Sequence, residues 1–76
     1  MNSLKILHIE ENHPSLLRGL EILGYENTLA YNKTLNELLP QLYQFHGLII
    51  RSKFIIDKNF IDAASELKFI ARVGTG

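Results

Sequence analysis

Gly47-Leu48-Ile49-Ile50 constrains this chain more than any other stretch. The run is short, continuously apolar and rich in β-branched residues, and it does not alternate with polar ones. As a strand it needs apolar cover on both faces, the condition met in a parallel sheet sheathed by helices. It stops abruptly at Arg51 and Ser52, a guanidinium and a hydroxyl. Open α/β sheets bind ligands in the crevice beyond the carboxyl ends of their strands. Arg51 and Ser52 are therefore the base of a candidate anion site.

The rest of the chain supplies the cover. Leu4 to Ile9 reads as a first strand, with Leu4, Ile6 and His8 on one side and Lys5, Leu7 and Ile9 on the other. Apolar residues on both sides make it a central strand. Pro14 opens a helix at its first position, which leaves His13, a poor capping residue, before it. Leu16, Leu17, Leu20 and Leu23 form that helix's apolar stripe, and Gly24 is its left-handed stop. Asn27 ends the turn, and Thr28 to Tyr31 is a short second strand. Thr34 and Glu37 have the spacing of a capping box, ahead of a stripe of Leu35, Leu38, Leu39 and Leu42. Pro40 falls inside that stripe and should kink or split the helix near Leu39. Beyond the opening strand, Phe54, Ile55 and Ile56 form an apolar linker under the next helix. Asp57 caps that helix, whose buried face is Phe60, Ile61, Ala63 and Ala64. Leu67 to Ala71 is the fourth strand, followed by Arg72-Val73-Gly74-Thr75-Gly76.

Strand and helix alternate strictly, so the fold class is α/β with a parallel sheet and right-handed crossovers. A fourth strand without a covering helix leaves apolar surface and an unpaired edge. The expectation is that these 76 residues are part of a larger unit, or that a partner covers that face. A core this small is marginal by itself.

Composition excludes several functions. Eight basic residues balance eight acidic ones, so neither nucleic acid nor an anionic membrane surface is an expected partner. Apolar runs are too short to span a bilayer, and the start of the chain lacks the apolar stretch of a signal peptide. There is no cysteine, which fits the cytoplasm. Three histidines without cysteine make no expected zinc site.

Arg51 and Arg72 both terminate apolar strands at one end of the sheet. Two guanidiniums converging there could grip a carboxylate or phosphate by paired hydrogen bonds. The alternative is that arginines at strand ends simply meet water, with Glu10 and Glu11 pairing with Arg51. Gly74-Thr75-Gly76 could bring bare backbone amides close to an anion. It is only half of a dinucleotide fingerprint, which requires G-x-G-x-x-G. His8, His13 and His46 have no evident carboxylate to orient them as acids or bases. Ser52 has no base to make it a nucleophile and is better cast as a hydrogen-bond donor.

Gly47 to Ser52, Ile61-Asp62-Ala63-Ala64 and Leu67 to Gly76 resemble the N-terminal segment of the NAD-dependent D-2-hydroxyacid dehydrogenases, most closely the branch that oxidises 3-phosphoglycerate. The resemblance implies a flavodoxin-like substrate domain, interrupted after its fourth strand, with a separate Rossmann domain outside these residues. It places Arg51, Ser52, Arg72, Val73, Gly74 and Gly76 against the acidic substrate and Thr75 near the NAD cofactor. Val73 stands where many members carry alanine. The family's catalytic arginine, glutamate and histidine are not in this chain, so it is expected to be inactive alone. The implied partner is a small 2-hydroxy acid, phosphorylated because two arginines face it, and the whole enzyme is expected to be a homo-oligomer. Members acting on glyoxylate or hydroxypyruvate are the alternative, as is a free-standing anion-binding module. Leu4 to Tyr31, with Glu10-Glu11 after the first strand, also resembles a response-regulator receiver domain. That fold needs a phospho-accepting aspartate where this chain has Arg51, which can neither accept phosphate nor tolerate a nearby Mg²⁺.

Overall fold

The computed structural model describes residues 4–51 and 54–72. Among them, the strands β1 (Lys5–His8), β2 (Glu26–Leu29), β3 (Gly47–Ile50) and β4 (Phe69–Arg72) alternate with helical segments. These are α1 (Pro14–Ile22), α2 (Leu35–Leu38), a 3-10 helix (Leu39–Gln44) that continues α2, and α3 (Lys58–Ala63). The four strands form one parallel sheet in the order β2-β1-β3-β4, which is the start of the flavodoxin-like order.

Every residue of β3 is buried. Leu48 and Ile50 share a pleat face with Leu7 and Ile9, and Leu38, Leu42, Phe45, Phe60 and Ala64 close over them in one cluster. Burying one such side chain contributes about 1.5–3 kcal/mol. Ile6, His8 and Ile49 lie on the opposite pleat and are also buried. The chain steps one way from β1 to β2 and the other way from β2 through β3 to β4. Right-handed crossovers therefore put α1 on the face of Ile6 and Ile49, and α2 and α3 on the other.

Local signals work as their chemistry requires. Thr34 Oγ1 accepts the Glu37 N–H at 3.2 Å while the Glu37 carboxylate accepts the Thr34 N–H at 2.8 Å, closing the capping box. Asp57 accepts the Phe60 N–H at 3.0 Å. Pro40 divides the second helical stretch into α2 and the 3-10 segment. Gly24, at φ 91°, ends α1. Its N–H donates to Glu21 O and the Tyr25 N–H to Leu20 O, the two bonds of a Schellman stop.

Strand β4 begins at Phe69, two residues later than expected, and takes in Arg72, and four further expectations are corrected. Strand β2 begins at Glu26, two residues earlier than expected, because Asn27 belongs inside it: Asn27 Oδ1 meets buried His8 Nε2 at 2.8 Å. The stripe on α1 is only half-buried, Ile22 and Leu23 are 78% and 73% exposed, and α1 has no buried residue. It is the single helix on its face, with nothing packed on its outer side among the described residues. Ile55 and Ile61, placed under and along α3, are exposed, whereas Phe54 and Ile56 do pack on the core. His13 is a working cap, since Nδ1 accepts the Ser15 N–H at 3.1 Å. At the sheet edge, Phe69 and Ile70 of β4 remain more than a third exposed.

Candidate functional site

Parallel strands bring all their carboxyl ends to one rim. The register pairs Ile50 with Arg72 across β3 and β4, and neighbouring strands lie about 4.8 Å apart. Arg51 follows Ile50 at a bend. Arg51 and Arg72 thus stand at adjacent strand ends, both exposed. Arg72 continues the pleat of Ile70, on the face that carries α3. Arg51 lies past the last paired residue, so the pleat no longer dictates its direction. Among the described residues the salt bridge is Lys58–Asp62, an exposed pair on α3 at 2.9 Å, and neither arginine takes part in one. Ser52, Val73, Gly74, Thr75 and Gly76 lie outside the described residues.

Glu10 does something other than pair with the Arg51 side chain. Its Oε1 accepts the Arg51 backbone N–H at 3.0 Å, across 41 positions of sequence. The two meet because the Ile9 N–H donates to Ile49 O at 3.0 Å. That bond keeps the chain leaving β1 alongside β3 to its end, so Glu10, the second residue past β1, flanks Arg51, the first residue past β3. Nothing in the sequence marks this contact, because its donor is a main-chain N–H 41 positions away.

The helix starts share the rim, and their caps are occupied. His13, Thr34 and Asp57 each accept a first-turn amide. Hydrogen bonding from the Thr34 backbone N–H, with the Thr34 side chain second, lowers the Glu37 carboxyl below its usual 4.5.

The histidines are spent on structure. His8 is buried against Asn27, whose amide also donates to Tyr25 O. His46 Nδ1 accepts the Lys5 N–H at 2.9 Å at the amino ends of the strands. Among the described residues no three His, Asp or Glu side chains could hold a metal ion, and no helix is long and apolar enough to cross a membrane. An open groove between α3 and the start of β4, lined by Ile61, Ala64, Leu67, Phe69 and Ile70 with Ser65 and Lys68, lies away from the rim.

Comparison with known proteins gives this arrangement a context. Residues 6–76 match the family described as D-isomer specific 2-hydroxyacid dehydrogenase, catalytic domain. Similar relatives include D-3-phosphoglycerate dehydrogenase from Rattus norvegicus, 32% identical over 75 residues. The proteins of the same name from Homo sapiens and Sus scrofa are each 31% identical over 75 residues. The alignments cover 99% of this chain and 14% of each relative's length.

Proposed function

The chain belongs to the D-isomer specific 2-hydroxyacid dehydrogenase family, and we propose that it forms the acid-binding side of an NAD-dependent oxidoreductase that oxidises 3-phosphoglycerate, the entry step to serine synthesis. One observation carries the reading: the Ile50–Arg72 register, which brings two exposed arginines to neighbouring strand ends. A phosphorylated hydroxy acid has two anionic groups to offer them. The names of the similar relatives support the same substrate.

In this reading Arg51 and Arg72 neutralise the carboxylate and phosphate, and Ser52 and the Val73, Gly74 and Gly76 backbone add oriented donors. Their work is positioning and charge stabilisation. Thr75 is assigned beside the nicotinamide. The described residues do not fit a dinucleotide: the left-handed glycine among them, Gly24, closes α1 at the amino ends of the strands, away from the rim.

The test is calorimetric titration of the chain with 3-phosphoglycerate and with D-glycerate. The expected result is tighter binding of the phosphorylated acid by about tenfold, the scale of one added charge-assisted hydrogen bond. Arg51→Ala and Arg72→Ala should each remove most of that difference. Equal affinity for both acids would shift the assignment to unphosphorylated substrates such as glyoxylate or hydroxypyruvate. Absence of binding at millimolar acid would exclude a free-standing anion-binding module, and unchanged acid affinity of Arg51→Ala in the intact enzyme would overturn the acid-binding reading.

A further inference from the structure

We infer that Glu10 is a positioning residue for Arg51. Its carboxylate fixes the backbone from which the guanidinium reaches an anion, and the inference rests on the acid-binding reading above. The ladder of β3 ends at Ile50, so the Arg51 N–H is the first amide without a neighbouring strand to take it. The Glu10 carboxylate takes it at 3.0 Å. Glu10 is itself anchored, because Asn12 Nδ2 donates to the Glu10 carbonyl at 3.0 Å and the preceding Ile9 N–H is bonded to Ile49 O. The chain leaving β1 and the chain leaving β3 are thereby tied together at the rim.

The chemistry suits the task. A carboxylate–amide bond is charge-assisted and stronger than a neutral one. Among the described residues no Glu10–Arg51 ion pair is present, so the guanidinium is left outside the contact that holds its backbone. The opposite role, a counter-ion that competes with the ligand, would put Glu10 on the guanidinium. The two roles predict effects of opposite sign on ligand affinity.

The experiment titrates wild type, Glu10→Ala, Glu10→Gln and Arg51→Ala with 3-phosphoglycerate, following the Arg51 backbone amide by NMR. With Glu10→Ala, the amide proton should move upfield before any ligand is added, and affinity should fall by about threefold to tenfold, the worth of one hydrogen bond. Glu10→Gln keeps an acceptor oxygen, so the amide signal and the affinity should be retained, a rescue that general loss of structure would not give. An unmoved amide, or affinity unchanged or raised in Glu10→Ala, overturns the inference. If Glu10→Ala does not fold, Glu10→Gln decides alone: retained amide signal and affinity support the inference, and a tenfold loss overturns it. If Arg51→Ala binds as wild type, the acid-binding reading has failed and this role with it. If Arg51→Ala weakens binding and Glu10→Ala does not, only the role of Glu10 has failed.

Discussion

The two rims of the sheet are finished differently. At the amino rim the chain closes on itself through His46. The His46 N–H donates to Lys5 O at 2.8 Å, the Lys5 N–H returns to His46 Nδ1 at 2.9 Å, and the Lys68 N–H reaches His46 O at 2.7 Å. The Phe69 ring lies directly over Gly47, so closely that a β-carbon there would collide with it. At the carboxyl rim the Ile9 N–H donates to Ile49 O and the Glu10 side chain accepts the Arg51 N–H, and two arginines stand exposed beside them. An end that closes on itself reads as architecture. An end that holds its backbone while leaving cationic groups outside any ion pair among the described residues is prepared for something else.

Substitutions at the two rims should therefore separate stability from binding. The largest effect is expected at the amino rim, where Gly47→Val displaces the Phe69 ring. It should cost about 1–3 kcal/mol, as overpacking generally does, with acid binding unchanged once the protein is folded. Urea denaturation and titration of the same sample check both halves. Arg51→Ala should show the reverse: about a tenfold loss of acid affinity with stability within about 0.5 kcal/mol of wild type. His46→Ala comes next. It leaves the Lys5 N–H without its acceptor and should cost about 1 kcal/mol, again without touching the acid.

The smallest effect is a pH dependence. The Glu37 carboxyl is lowered in the folded chain, so its contribution is present above the unfolded value and is lost as pH falls through the lower folded one. Stability of the wild type should therefore decline on acidification below about pH 4.5, by more than that of Glu37→Gln over the same range. Identical acid limbs for the two proteins would remove the capping box from the account.

What could be read in advance was local. The buried run of β3, the Thr34–Glu37 box, the Asp57 cap, the Pro40 break and the Gly24 stop each depend on residues a few positions apart. What escaped depended on partners far along the chain. Asn27 resembles a turn residue until His8 claims its side chain from 19 positions away. The leucines of α1 mark which side faces the sheet but carry no information on how deeply the sheet and its neighbours cover them. Ile61 follows the same logic on α3, and its exposure reflects the open groove beside β4. At the candidate site the two arginines were legible as strand terminators. The role of Glu10 was not, because its partner is a backbone amide 41 positions away, and a main-chain donor leaves no mark in a sequence.

The most direct test of the central claim is the arginine side-chain NMR spectrum of the chain during titration with 3-phosphoglycerate. If one ligand is held between the ends of β3 and β4, the Nε–H signals of Arg51 and Arg72 will shift together and saturate at the same concentration, while that of Arg18 on α1 stays in place. Arg51 and Arg72 moving independently, or no more than Arg18 does, would contradict it.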